Sequence, residues 1–268
     1  MKISKEIRDL VLKELGEHRK LSVTEVAELI DVSDATVRRL FVRLEEEGLA
    51  IRVFGGIQTP RTEKAAYSFT ASAILRTKEK VAIGNLAALE VSSNDQIFLD
   101  SGTTVLEMAK ALVRRHEMHQ LENIKVLTNS LVLAEVLMPY CKVVLIGGDL
   151  RMERKDVCGF IAEETLKRFH VRKAFLGCDA LHFERGLMTT DEQTARMNEI
   201  IIQNTSTIYI LTDASKIGNT SFVSYGLLEN VDTCIVDNGI SLQDREILTT
   251  KAKRLLIAEY SETPEELQ

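Results

Sequence analysis

The chain has 268 residues, 45% hydrophobic and 28% charged, the balance of a folded globular protein with room for two ordinary domains. A net charge of −6 excludes a histone-like coat of nucleic acid, although DNA affinity depends on where the basic groups sit. No run approaches the roughly 20 apolar residues of a membrane helix, and the opening Met1-Lys2-Ile3-Ser4-Lys5-Glu6 lacks the apolar core of a secretory signal, so a cytoplasmic chain with no membrane partner is expected.

Three helices can be read in the first 48 residues. Ile7, Leu10, Val11 and Leu15 form an apolar stripe at helical spacing, and Gly16 is expected to stop it. Ser22-Val23-Thr24-Glu25 spells a capping box, behind which Val26, Ala27, Leu29 and Ile30 carry a second helix. Asp31 falls where the chain must turn sharply, and Asp tolerates the left-handed conformation. Ser33 then caps a third helix, with Val37, Phe41 and Leu44 facing inward at i, i+4, i+7 and Gly48 ending it.

The third helix exposes Ser33, Asp34, Thr36, Arg38, Arg39 and Arg43. Arg39 and Arg43 share one face, a spacing that suits phosphates along a groove or bidentate contacts to guanine edges. Residues 49–56 read as a short β-hairpin wing with Arg52 pointing outward, and Glu45-Glu46-Glu47 as solvated surface. A basic pair alone would be only a solvated face. Capping box, tight turn, basic third helix and wing together predict a winged helix-turn-helix over residues 1–56, reading double-stranded DNA.

Residues 57–76 hold Pro60, several threonines and no sustained apolar period, and read as a linker. Helix-like and strand-like stretches then alternate across 77–258, the pattern of an α/β domain with a mostly parallel sheet, leaving 259–268 as a tail. Strands are expected at 96–100, 124–128, 142–146, 173–177, 207–211 and 233–237, and helices at 105–113, 131–137 and 192–204.

Small polar motifs follow these strands: Asp100-Ser101-Gly102-Thr103-Thr104, Thr128-Asn129-Ser130, Gly147-Gly148-Asp149-Leu150-Arg151, Gly177-Cys178-Asp179 and Asp213-Ala214-Ser215-Lys216. Ligands of open α/β sheets bind outside the carboxyl ends of strands. A Ser-Gly-Thr-Thr loop opening a helix offers amides, hydroxyls and a positive dipole end to an anion. Lys216 and Arg151 could neutralise a phosphate, while Asp100, Asn129 and Asp179 could bind hydroxyls. Each loop alone is ordinary turn chemistry; five on one sheet edge describe a pocket for a phosphorylated sugar or polyol. With neither a GxGxxG fingerprint nor a P-loop, no cofactor is implied. Cys141, Cys158, Cys178 and Cys234 show no CxxC pair, so neither a disulfide nor a metal is expected, and His18, His116, His119 and His170 read as surface residues.

The run Val32-Ser33-Asp34-Ala35-Thr36-Val37-Arg38-Arg39, closing with Arg52-Val53-Phe54-Gly55-Gly56, resembles the DeoR family of bacterial regulators. That family's signature is Val-Ser-x-x-Thr-Ile-Arg-Arg-Asp-Leu; here Leu40-Phe41 stand in place of Asp-Leu, so a carboxylate is missing beside the recognition arginines. The Gly-Thr-Thr, Thr-Asn-Ser, Gly-Gly-x-x-Arg, Lys-Ala-Phe-Leu-Gly and Asp-x-Ser-Lys motifs resemble the family's effector domain and appear in order. Cys178, Asp179 and Ala180 depart from its Gly-x-Gly-like segment. The resemblance implies a Rossmann-like, sugar-phosphate-isomerase-like second domain and repression of a sugar or nucleoside catabolic operon. It also implies release by a phosphorylated intermediate, and a homodimer or homotetramer.

The competing reading is an isomerase-like enzyme. Asp100, Asp179 and Glu192 are carboxylates of the right type, but none is paired with a group suited to proton relay, and no catalytic residue is expected.

Overall fold

The computed structural model describes residues 5–18, 20–59 and 67–261, and the chain divides into two compact units, Met1–Arg76 and Thr77–Gln268. The first contains α1 (Lys5–His18), β1 (Lys20–Ser22), α2 (Val23–Leu29), α3 (Asp34–Glu46), β2 (Ile51–Val53), β3 (Gly56–Gln58) and α4 (Phe69–Ile74). The capping box forms: Ser22 Oγ accepts from the Glu25 amide at 3.1 Å, and Glu25 accepts from the Ser22 amide at 2.7 Å. Asp31 takes φ 50° at the turn, and Gly48, at φ 72°, follows α3.

Four details differ from the sequence reading. Gly16 does not stop α1, which runs on to His18; a Cβ there would lie 2.4 Å from Leu75 Cδ2, so glycine makes room for a neighbour. Leu12 is buried, whereas Leu10 is 38% exposed. Leu40 is buried with Val37, Phe41 and Leu44, so it extends the inward stripe of α3 and does not stand beside the arginines. Finally, the span read as linker is partly structured. β3 reaches Gln58, and α4, capped by Ser68, packs Ala71 and Ile74 against the core of the first unit. Residues 60–66 of that span, like 1–4 and 262–268, lie outside the described residues.

The second unit contains α5 (Thr77–Leu89), β4 (Gln96–Leu99), α6 (Thr103–Glu117), β5 (Lys125–Thr128), α7 (Leu131–Leu137), β6 (Lys142–Leu145), β7 (Asp149–Arg151), β8 (Asp156–Cys158) and α8 (Phe160–Leu166). It continues with β9 (Val171–Gly177), β10 (Ala180–His182), β11 (Gly186–Thr189), α9 (Glu192–Gln203), β12 (Thr205–Leu211), β13 (Val223–Gly226), β14 (Thr233–Asp237), α10 (Leu242–Lys251) and β15 (Arg254–Ala258).

The main sheet runs β15-β14-β12-β9-β4-β5-β6, with every pairing parallel. All five residues of β14 are buried, as expected of a strand covered on both faces. Phe175 and Tyr209, in register on β9 and β12, stack with ring centroids 4.5 Å apart. The first three strands of this sheet grow outward from β4 on one side and the later four from β9 on the other. The β4–β9 boundary is therefore its topological switch point. The six expected strands all form; β15, the β7–β8 hairpin and the small antiparallel sheet β10-β11-β13 are additions.

Among the described residues, no helix is long and apolar enough to cross a membrane, and no group of three or more His, Cys, Asp or Glu side chains could hold a metal ion.

Candidate nucleic-acid interface and ligand pocket

On α3, Ser33, Asp34, Arg38, Arg39 and Arg43 are exposed and Thr36 is half-buried. Ser33 and Thr36 share a hydroxyl–hydroxyl hydrogen bond of 3.1 Å, so Ser33 holds the first turn without a side-chain cap to the backbone. Among the described residues no ion pair engages Arg38, Arg39 or Arg43, whose inward neighbours Val37, Leu40, Phe41 and Leu44 fix the helix on the core. An unengaged basic helix face is what a groove reader presents.

Arg52 is different. Its side chain is ion-paired to Glu45, whose other oxygen accepts the Arg52 amide at 3.0 Å. Those bonds hold the Glu45 carboxyl below its ordinary range. Glu47 likewise accepts from Arg8 at 2.8 Å. The acidic run is thus not simply solvated: it fastens the wing and α1 to the end of α3. Between the wing strands, Phe54 stands fully exposed beside Gly55 at φ 79°.

In the second unit the five polar loops follow β6, β5, β4, β9 and β12, which are five successive strands of a parallel sheet. They therefore share its carboxyl edge, centred on the switch point. Asp100 lies there, 5% exposed, accepting from the Ser101 amide at 2.7 Å and the Gly177 amide at 3.2 Å. Burial, opposed by those two amides and reinforced by the charges of Asp156 and Asp179, pushes its carboxyl up to about 6. Gly102 is the N-cap of the 15-residue helix α6, with Thr103 and Thr104 buried in its first turn.

Several expected ligand residues turn out to hold the loops themselves. Thr128 donates its hydroxyl to the Leu99 carbonyl at 2.7 Å and accepts from the Ser130 amide at 3.0 Å. Ser130 caps α7 through the Leu133 amide at 3.2 Å. Gly148, at φ 155°, has its missing Cβ 2.4 Å from the Cys158 carbonyl, a close approach only glycine permits. Arg151 is not a free cation either. It forms a fork to Asp156 with both bonds at 2.8 Å, reaches Asp191, and donates to Thr194 at 3.0 Å. Asp156, 1% exposed, also accepts from Ser101 Oγ at 3.0 Å, so Arg151 supports the loop after β4 from behind.

Asn129, Asp179 and Lys216 remain nearer to ligand chemistry. Asn129 is 4% exposed; its amide nitrogen donates to the Val157 carbonyl at 3.3 Å, while its oxygen Oδ1 is buried with no partner. A buried acceptor left unmade is costly and invites a donor. Asp179 gathers the Thr189 hydroxyl at 2.9 Å and the Thr190 amide and hydroxyl at 2.9 and 3.0 Å. Lys216 donates to the Cys178 carbonyl at 2.8 Å and lies 3.8 Å from Asp213. Cys178 is buried, and desolvation pushes its thiol up to about 11, which leaves it inert at neutral pH. Glu192 is exposed on α9.

The sequence reading missed Asp156, Asp191 and Lys80. Asp191 was legible as the N-cap of α9, since its carboxylate accepts from the Thr194 amide. Asp156 pairs with Arg151 only across the β7–β8 hairpin, whose three-residue strands give almost no periodic signal. Lys80 opens the inward stripe of α5, and nothing in the sequence sets it apart from a solvated lysine.

Fold and sites together define a two-part ligand-responsive regulator: a DNA-reading head joined to an α/β sensing domain. The helix-turn-helix pattern of the DeoR-like type matches residues 8–63, and the DeoR C terminal sensor domain matches residues 75–238. The HTH-type transcriptional repressor GlcR of Bacillus subtilis (strain 168) is 31% identical over 254 residues, 94% of this chain and 95% of that protein. A putative aga operon transcriptional repressor of Escherichia coli O157:H7 is 30% identical over 248 residues, 90% of this chain and 89% of that one. Among solved structures, ribose 5-phosphate isomerase A of Methanocaldococcus jannaschii overlaps 52% of this chain and 53% of its own, at 19% identity and TM-score 0.39. The chain belongs to the DeoR family of helix-turn-helix transcriptional regulators.

Proposed function

We propose that this regulator represses a carbohydrate-catabolism operon in the cytoplasm and leaves its operator when a phosphorylated sugar or polyol binds the second unit. The observation that carries the reading is the convergence of five polar loops on the carboxyl edge of one parallel sheet, at its switch point, around the N-terminus of α6. The unpartnered Asn129 oxygen and the carboxylate of Asp179 suit hydroxyls, and the α6 end with Lys216 suits the phosphate. The repressor sign is supported by the two relatives, both named as repressors.

Release follows from population shift: the effector need only prefer the state with weaker operator affinity, and the preference sets the size of the response. Two heads reading a two-fold operator call for a homodimer or homotetramer. An isomerase would need a carboxylate free to take a proton from substrate carbon. Asp100 is held on both oxygens by backbone amides, Asp179 on one oxygen by three donors, and Glu192 is exposed, so none is set up as that base.

Fluorescence anisotropy on DNA from upstream of the protein's own gene, with a panel of sugar phosphates, tests the reading. Specific binding weakened by one phosphorylated sugar and not by its unphosphorylated form is the expected result. Absence of specific DNA binding at moderate salt would overturn it.

A further inference from the structure

The inward stripe of α5 opens with a charge. Lys80, Ile83, Gly84, Ala87 and Ala88 are its buried residues, and Lys80 is 4% exposed. An ammonium group is kept out of water only where the surroundings compensate its lost hydration or where function demands it.

The packing of α5 on α6 says where that ammonium lies. A Cβ on Gly84 would sit 2.5 Å from the Met108 amide nitrogen and 2.6 Å from the Glu107 carbonyl carbon, so the helices cross in backbone contact. Further along, Asn85 accepts from Arg114 at 2.6 Å, and the Val91 carbonyl accepts from Arg115 at 2.8 Å. Both helices advance together, so they run parallel. One turn before Gly84, Lys80 is level with the first turn of α6, where Thr103 and Thr104 follow the Gly102 cap. Lys216 acts on the same spot from the turn after β12. Among the described residues, the charged groups that act on Lys80 include Lys216 and Asp213 from that turn, Glu107 of α6 and Glu79 of its own helix. Glu107 is shared with Lys110 at 2.6 Å, and Asp213 with the Ser215 hydroxyl.

Two lysines thus gather beside the positive end of a 15-residue helix. At the end of the neighbouring strand β5 sits the buried Asn129 oxygen with no partner, an independent sign that a ligand completes this edge. We propose that Lys80 is an effector-binding residue: with Lys216 and the first turn of α6 it grips the phosphate dianion, and it selects a phosphate monoester over an uncharged polyol. This rests on the sugar-phosphate reading above and adds to it the residue that recognises the charge.

Burial, helped by the charge of Lys216, lowers the Lys80 ammonium to about 8. A bound dianion favours the protonated form. Anion affinity therefore falls as pH rises through 8 and the free protein gives up that proton.

The test uses the full chain and inorganic phosphate or sulfate as probe, each against chloride at matched ionic strength, with apparent affinity taken from the rise in Tm with anion concentration. Wild type should be stabilised by both anions. Lys80→Met, which keeps length and apolar bulk, should bind at least about tenfold more weakly, as expected for loss of a charge-assisted contact, with partial recovery in Lys80→Arg. If Lys80→Met binds as tightly as wild type while Lys216→Ala does not, the proposal falls and the sugar-phosphate reading survives. If wild type responds to neither anion, both fall. Should Lys80→Met fail to fold, the wild-type sulfate profile decides, because sulfate keeps its charge. Affinity must drop between pH 7.5 and about 9, the window set by the Lys80 shift, and a flat profile overturns the proposal.

Discussion

The carboxylate of Asp100 accepts the amide N–H of Gly177 at 3.2 Å, a bond between residues 77 apart in sequence. It joins the ends of β4 and β9, the two strands between which the order of the sheet reverses. A crevice opens at such a reversal because the chain leaves the two strands in opposite directions. Asp100 therefore works as a strut across the β4–β9 boundary, and it does so as a buried acid.

That burial has a pH signature. Asp100 is raised from 3.8 to about 6, so the folded state holds a proton that the unfolded state has already lost between those values. Its contribution to stability is fully present below pH 3.8 and is lost as pH rises through 6, a change of about 2–3 kcal/mol at 1.36 kcal/mol per unit. Denaturant unfolding of wild type and Asp100→Asn between pH 4 and 7 checks this. The substitution should remove that downward component whatever its effect on absolute stability; parallel curves would mean the carboxyl titrates normally.

Arg151 is 14% exposed in its side chain and Asp156 only 1%, and the fork between them is flanked by Asp191 and Thr194. Arg151→Ala leaves Asp156 as an uncompensated buried charge and should destabilise by about 3–5 kcal/mol. Adding Asp156→Asn should recover a good part of the loss. Urea midpoints of the two variants give the answer; a loss under 1 kcal/mol would show that water replaces the arginine.

The Glu45–Arg52 pair bears on DNA binding. A guanidinium already held by a carboxylate must leave it to reach a phosphate. Glu45→Ala should therefore tighten non-specific DNA binding and steepen the log K against log salt slope by about 0.9, the value for one added phosphate contact. An unchanged slope would mean that Arg52 does not touch the backbone.

Two glycines make a contrasting pair. A Cβ on Gly16 meets only the tip of Leu75, which is 37% exposed and can move aside. Gly16→Ala should therefore be close to neutral, the gain in helix propensity of about 1 kcal/mol offsetting the shift. On Gly84 the same atom meets the backbone of α6, which cannot yield locally. Gly84→Ala should cost roughly 1–3 kcal/mol or more, and thermal unfolding distinguishes the two.

Much of this architecture is legible in the residues, for reasons that differ from element to element. The second and third helices announce themselves because a capping box, a left-handed Asp31 and an i, i+4, i+7 stripe are local signals. The six expected strands show through because their apolar runs are continuous, and all but the edge strand β6 bury most of their residues. What escapes is non-local. Nothing around Gly16 indicates that Leu75 will lie against it. Arg151 reads as a free cation because its acidic partners are 5 and 40 residues away. Leu40 reads as a departure from a polar pattern, when its burial makes it one more core contact. Lys80 looks like an ordinary solvated lysine until the parallel crossing at Gly84 fixes what surrounds it.

The second unit begins at Thr77, and α5 begins with it. Only Leu75 and Arg76 separate that helix from α4, and Arg76 is held at φ 54°, a conformation that a side-chain-bearing residue adopts at a penalty of about 1–2 kcal/mol. Lys80 comes three residues after Thr77, about 4.5 Å along the helix axis. The break between α4 and α5 is therefore a turn held against the preference of its own residue, and glycine at position 76 would relieve it.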